Sequence, residues 1–167
     1  MGAGGVLEFM VFGPRSRQHP RVLLVEDDPV SSYAIEHDLR ARGAEVLVAR
    51  DGRSALRTLT DVILTLDLLV TDLEMPGLDG LALVRLIRAE GGEPDLPVLV
   101  IGDAISLQDE QRLRGYGASV IPKVAGLDAV VAEAHRLLGR QGWGVAGPEP
   151  QPPAPVAALA RLVKPPA

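Results

Sequence analysis

The chain has 167 residues, no cysteine and a formal net charge of −5. Without cysteine it can form no disulfide framework, zinc–thiolate site or thiol nucleophile, which fits a reducing cytoplasm. The dispersed negative charge disfavours binding to nucleic acid, because such binding depends on contacts with phosphates. No apolar run reaches the roughly 18 residues of a membrane helix, and residues 1–12 lack the basic start of a secretory signal. We therefore expect a cytoplasmic domain with no nucleic-acid or membrane partner.

Five short apolar runs alternate along the chain with segments of helical period. The runs have no alternating polar positions, which is typical of strands buried on both faces of a sheet. Five βα units in series, with connections too long for hairpins, predict a doubly wound α/β fold around a parallel five-stranded sheet. We predict strands over 21–25, 45–49, 68–71, 98–101 and 119–121. We predict helices over 30–42, 53–63, 80–90, 106–116 and 127–140.

Local signals mark several helix ends. Gly43 stands where the first helix should stop, and Gly126 stands directly before the last helix. Glycine is favoured at such positions because it adopts backbone conformations that other residues avoid. Ser106 and Asp109 have the spacing of a capping box, which predicts the start of the fourth helix.

The composition divides the chain into three parts. Residues 1–18 are expected to form a flexible leader, with an added edge strand over 6–12 as the alternative. Residues 19–140 hold the predicted α/β domain. Residues 141–167 form a Pro-rich tail, in which 156–164 (VAALARLVK) has the pattern of a short amphipathic helix. Such a helix is too short to be stable alone in water, so it either frays or docks on another surface.

Charged residues follow three of the predicted strands, at the edge where parallel sheets place their sites. Glu26, Asp27 and Asp28 follow the first strand, Asp72 follows the third and Lys123 follows the fifth. Carboxylates gathered in one place repel one another unless a cation neutralises them, and oxygen ligands of this kind suit Mg²⁺. A carboxylate beside such a metal can attack phosphorus and form an acyl phosphate. The metal and a lysine then offset the charge of the transferred group.

Three segments resemble the signature segments of response-regulator receiver domains. They are 25–29 (VEDDP), 70–80 (VTDLEMPGLDG) and 122–123 (PK), in the order and with the spacing of that family. The middle segment is highly specific, and the resemblance extends over about 19–140. It implies a flavodoxin-like fold with strand order 2-1-3-4-5. Asp28 lies one position beyond the acidic pair of the family and is not assigned to the site.

The resemblance also implies a role for each matching residue. Asp72 would be the phosphoacceptor in a two-component phosphorelay, and a histidine kinase or phosphotransfer protein would be its donor. Lys123 would contact the phosphoryl oxygens. Asp27 would bind Mg²⁺ directly and Glu26 largely through water, and the backbone carbonyl of Glu74 would add another metal contact. The domain would catalyse its own phosphorylation and dephosphorylation, so it would not be an enzyme with a separate substrate.

Four positions depart from the family pattern. Receivers usually have Thr or Ser after the fourth strand, where this chain has Gly102 followed by Asp103. They usually have Tyr or Phe shortly before the lysine, where this chain has Val120, and proline after it, where this chain has Val124. The residues that bind metal and accept phosphate are thus present, whereas those that usually report phosphorylation are absent.

Two functions fit this combination. The first is a phosphorylatable receiver whose output is binding to a protein partner through the face that begins at Ser106 and ends at Arg140. A variant of it is a phosphate sink without output. The second is a pseudo-receiver, a protein-interaction module that works independently of phosphorylation. The intact acidic set favours the first function, and the departures at Gly102 and Val120 favour the second.

Overall fold

The computed structural model of the chain describes residues 19–89 and 95–139. The predicted leader, with its candidate strand over 6–12, therefore lies outside the described residues. The same holds for the Pro-rich tail and its predicted helix over 156–164.

The five strands form one parallel sheet in the order β2-β1-β3-β4-β5, which confirms the predicted fold class and strand order. Each strand begins at the predicted residue, and three extend one residue further than predicted. The strands are β1 (Arg21–Val25), β2 (Glu45–Ala49), β3 (Leu68–Asp72), β4 (Val98–Gly102) and β5 (Ser119–Pro122).

Five helices connect and follow the strands, in the predicted positions to within one residue at each end. The first helix begins at Pro29 rather than at residue 30, because the side chain of Asp28 caps it and proline suits the first helical position. The fourth helix begins one residue after Ser106, whose hydroxyl caps it by accepting from Asp109 N. The helices are α1 (Pro29–Ala41), α2 (Gly52–Val62), α3 (Gly80–Ala89), α4 (Leu107–Gly115) and α5 (Leu127–Gly139).

The helices cover both faces of the sheet. Successive side chains of β1 point to opposite faces: Leu23 and Val25 pack with α2, α3 and α4, whereas Val22 and Leu24 pack with α1 and α5. All four are fully buried, and burying one such side chain contributes about 1.5–3 kcal/mol. This two-sided burial explains why the strands appear in the sequence as uninterrupted apolar runs.

The loop after β3 is held tightly against the start of α3. Gly80 N donates a hydrogen bond to the carbonyl oxygen of Leu73 (3.0 Å). A Cβ atom on Gly80 would collide with the carbonyl oxygen of Asp72 and would lie 3.0 Å from the Cα of Leu73. Only glycine therefore lets the helix approach the end of β3 this closely, and Gly80 sets the position of Asp72.

We expect Gly80→Ala to lower the free energy of unfolding by about 1–3 kcal/mol, because backbone atoms must shift to make room for the methyl group. Urea denaturation measures the change. Gly115→Ala is the matched control, since no atom lies within 4 Å of a Cβ built there; alanine should be neutral or stabilising at that helical position. Equal stability of Gly80→Ala and wild type would contradict the proposed close approach.

Candidate functional site

Parallel pairing brings the charged residues to one edge of the sheet. Val25, the last residue of β1, pairs with Ala49 on one side and Thr71 on the other. Glu26 follows β1 directly, and Asp72 is the last residue of β3. Lys123 follows β5, whose last residue, Pro122, lies beside the end of β4. The predicted site residues therefore converge although they are far apart in sequence.

Lys123 is the cation of the site. Its Nζ atom lies 2.7 Å from Asp72 Oδ2 and donates a hydrogen bond to it. The same atom lies 3.2 Å from Glu26 Oε2 and 3.4 Å from Oε1. A single ammonium group thus holds two carboxylates from different strands, as charge neutralisation in a buried site requires.

Three carboxylates are arranged so that they could hold a metal ion. Glu26, Asp27 and Asp72 each offer one oxygen, and these oxygens lie within 4.8 Å of one another. Glu26 is completely buried and Asp72 is 2% exposed, whereas Asp27 is exposed to solvent. Glu26 Oε2 is buried near Lys123 but accepts no hydrogen bond of good geometry. A hard cation would satisfy this oxygen, so the residues fit a divalent metal with oxygen ligands.

The site shifts the pKa values of two of its groups. Burial, and then the charge of Asp72, raise the pKa of Glu26 from its ordinary 4.5 to about 7. Burial alone would lower the pKa of Lys123, but its hydrogen bond to Asp72 and the charges of Asp72 and Glu26 outweigh burial and raise it. Lys123 therefore stays protonated throughout the physiological range, and the negative charge is what the site must control.

The loop after β3 adds backbone contacts to Asp72. Glu74 N donates a hydrogen bond to Asp72 Oδ1 (3.2 Å), so both carboxylate oxygens of Asp72 have donors. The metal contact expected from the Glu74 carbonyl remains a prediction. Asp28 instead accepts from Ser31 N (2.7 Å) as the cap of α1, which agrees with leaving it out of the site.

Sequence reasoning did not identify Gly52, which helps to position this loop. A Cβ atom on Gly52 would collide with the carbonyl oxygen of Leu78 and lie 2.8 Å from its Cβ. Gly52 is the first residue of α2, and Leu78 belongs to the long signature segment. A single glycine at a helix start gives no sequence signal for such a contact, because it depends on tertiary packing.

The positions that depart from the family pattern have a local structural basis. A Cβ atom on Gly102 would lie 3.1 Å from both Ile105 Cγ1 and Leu73 Cβ, so a larger residue there requires these side chains to move by a few tenths of an ångström. Asp103 is 72% exposed at its side chain, and its Oδ2 atom lies 4.0 Å from Lys123 Nζ. Val120 packs half-buried against the core, whereas Val124 is 89% exposed.

The raised pKa of Glu26 predicts a pH dependence of stability in metal-free buffer. Glu26 ionises near pH 4.5 in the unfolded chain and near pH 7 in the folded one. The contribution of protonated Glu26 to the free energy of unfolding is therefore complete below pH 4.5. It is lost as the pH rises to about 7, by on the order of 2–3 kcal/mol. Urea denaturation at several pH values measures this loss. Glu26→Gln should remove it, and equal pH dependence in both proteins would contradict the assignment.

Comparison with known proteins identifies the family. The family model of the response regulator receiver domain matches residues 22–134, which is more than half of the chain. The transcriptional regulatory protein PrrA of Mycobacterium leprae is 38% identical over 126 residues. The transcriptional activator protein PfeR of Pseudomonas aeruginosa is 35% identical over 124 residues. The alignments cover 74% and 72% of this chain but 52% and 38% of those proteins, so the chain spans about half of their length or less.

The fold agrees with this family. The structure of the chemotaxis response regulator CheY4 of Vibrio cholerae superposes with a TM-score of 0.65 at 26% identity, covering 72% of this chain and 99% of CheY4. The strand order 2-1-3-4-5 is that of this flavodoxin-like fold. The converging Glu26, Asp27, Asp72 and Lys123 lie at the carboxyl edge of that sheet. The chain therefore belongs to the family of response-regulator receiver domains.

Proposed function

We propose that this receiver accepts a phosphoryl group on Asp72 from a histidine kinase or phosphotransfer protein in a two-component phosphorelay. The observation that carries the proposal is the 2.7 Å contact between Lys123 Nζ and Asp72 Oδ2, beside the carboxylates of Glu26 and Asp27. Asp72 is almost completely buried, yet it is the acidic residue on which the other charged groups converge. A nucleophile held between a cation and a metal-ligating pair suits phosphoryl transfer.

The proposed reaction is a displacement at phosphorus. A carboxylate oxygen of Asp72 forms the new bond to phosphorus, while the bond between phosphorus and the donor atom breaks. The donor keeps the electron pair of that bond. A donor imidazole leaves as the neutral ring when its other nitrogen already carries a proton, and otherwise it takes up one proton from water. Lys123 holds a phosphoryl oxygen in place of the carboxylate oxygen it now contacts, so positive charge stays where negative charge accumulates.

Mg²⁺ is the metal that we infer for the site. Glu26, Asp27 and Asp72 would hold it through side-chain oxygens and water, and Glu74 through its backbone carbonyl. When bound, Mg²⁺ neutralises the carboxylates and the phosphoryl oxygens. The chain itself supplies the nucleophile, the lysine and the arrangement of the loop after β3. We infer that the domain acts only on its own Asp72, without a separate substrate.

For the output we propose binding to a protein partner through the face of α4, β5 and α5, which begins at Ser106 and was predicted to end at Arg140. Leu107 on α4 is 71% exposed, so this face offers a large apolar side chain for a protein contact. PrrA and PfeR are named as transcriptional proteins. For this chain the net charge of −5 favours a protein over nucleic acid.

We also infer a cytoplasmic location. The absence of cysteine fits a reducing compartment, and kinase-dependent signalling requires access to a phosphodonor. Among residues 19–89 and 95–139, no helix is long and apolar enough to cross a bilayer.

A pseudo-receiver remains the second candidate, and the surroundings of Gly102 favour it. Gly102 has no side chain, so no hydroxyl is available there to contact the phosphoryl group, and Leu73 and Ile105 lie only 3.1 Å from where its Cβ atom would be. In addition, the Asp103 carboxylate near Lys123 would oppose a second negative charge on Asp72. Phosphorylation and metal binding distinguish the two candidates.

The first experiment is phosphorylation by acetyl phosphate with Mg²⁺, followed by intact mass. We expect a Mg²⁺-dependent mass gain of one phosphate in wild type and no gain in Asp72→Asn, which keeps the size of the side chain but removes the nucleophile. Asp61→Asn, at an exposed carboxylate of α2, is the matched control and should behave like wild type. No gain in wild type, with Mg²⁺ bound, would exclude phosphorylation from small donors and leave a donor-specific reaction to be tested with a kinase.

The second experiment is calorimetric titration with Mg²⁺. We expect Asp27→Ala to weaken the affinity by roughly tenfold or more, since losing even an outer-shell partner of a metal costs that much. Asp28→Asn is the control, because this neighbouring residue caps α1 and asparagine also caps helices well. Wild type that binds no Mg²⁺ at millimolar concentration would support the pseudo-receiver.

A further inference from the structure

An acidic groove lies beside the proposed phosphorylation site. It encloses about 530 Å³ between the loop after β3, the start of α3 and the start of α4. Pro76, Leu81 and Ala104 contribute apolar surface, and no lysine, arginine or histidine of the described residues lines the groove. Four carboxylates line it: Asp27, Glu74, Asp79 and Asp109.

Most of this negative charge is not neutralised within the described part of the chain. Asp109 lies 3.6 Å from Arg112, and Asp79 accepts a hydrogen bond from Ala82 N. Asp27 and Glu74 form no ion pair with any residue in 19–89 or 95–139, and both are exposed. The groove therefore combines apolar surface with uncompensated negative charge, which suits a ligand that is both cationic and apolar.

The chain itself contains such a ligand. Segment 156–164 (VAALARLVK) has two cations, Arg161 and Lys164, and no acidic residue among its apolar side chains. We propose that this segment docks in the acidic groove of its own chain. Arg161 and Lys164 would face the carboxylates, and the leucine and valine side chains would cover the apolar surface of Pro76 and Leu81.

The connection is long enough for this contact. Helix α5 starts near the site after Lys123 and ends at Gly139, about 20 Å further along its axis. Residues 140–155 precede the segment, and at about 3.1 Å per residue in polyproline II form they span about 50 Å. That length is more than twice the distance back along α5.

Docking would regulate access to the proposed site. Asp27 belongs both to the groove and to the three carboxylates that could hold a metal. A cationic segment in the groove and a divalent metal at Asp27 therefore compete for the same negative charge. By thermodynamic linkage, the segment weakens metal binding by the factor by which the metal weakens docking.

The test compares amide NMR spectra of the full-length chain, without Mg²⁺ or phosphodonor, for wild type and Arg161→Glu/Lys164→Glu. We expect shift changes at groove residues such as Glu74, Leu81 and Ala104, with the same size at high and low protein concentration. Arg53→Glu/Arg57→Glu, at two exposed residues of α2 that do not line the groove, is the matched control with an equal change in charge. Added salt should move the wild-type groove signals towards those of the tail variant.

Two results would overturn the proposal. Groove signals that are unchanged in Arg161→Glu/Lys164→Glu would show that the segment does not dock there. Changes that grow with protein concentration would show that a second copy, rather than the same chain, supplies the segment. A further expected result is a Mg²⁺ affinity on the order of fivefold tighter in the tail variant than in wild type. Since the NMR readout needs neither metal nor phosphate, it stands even if Asp72 is never phosphorylated.

Discussion

The arrangement of the site depends on one cation that offsets two buried carboxylates. Glu26 and Asp72 have almost no access to water, so their negative charge must be balanced by the protein or by a bound ion. Lys123, which follows the outer strand β5, contacts both of them. Removing one partner of a buried pair typically costs about 3–5 kcal/mol, because a charge is left without compensation. Lys123 therefore stabilises both carboxylates, and in the proposed reaction it would also offset the charge of the phosphoryl group on Asp72.

The balance around Lys123 also explains the chemistry that the site favours. One ammonium group does not neutralise Glu26, Asp27 and Asp72 together. Burial, and then the charge of Asp72, raise the pKa of Glu26 in this surplus of negative charge. A divalent cation corrects it, whereas an added phosphoryl group increases it. Metal binding and phosphorylation are therefore expected to support each other. The carboxylate of Asp103, 4.0 Å from Lys123 Nζ, would compete for this ammonium group and repel a phosphoryl group on Asp72.

The surroundings of the site divide into a rigid and an exposed part. Gly80 lets α3 approach the end of β3 closely, and Gly52 lets α2 approach Leu78 in the loop after β3, so close packing surrounds Asp72. By contrast, Asp27, Glu74 and the acidic groove face solvent. The buried Asp72 thus lies beside an open, negatively charged surface, where the proposed phosphodonor, metal and cationic segment would all bind.

The fold class and the residues of the candidate site were predictable from the linear sequence, and the strand order was predictable through the family resemblance. Apolar runs report two-sided burial directly, and the segment around Asp72 is specific. The contacts between residues of separate elements became visible only in the three-dimensional structure. The contact between Lys123 and Glu26 joins residues 97 positions apart, and the close approaches at Gly52 and Gly80 depend on packing between separate elements. Leu73 and Ile105 likewise lie close to Gly102. Such properties arise from distances between atoms, which a linear pattern of residue types does not contain.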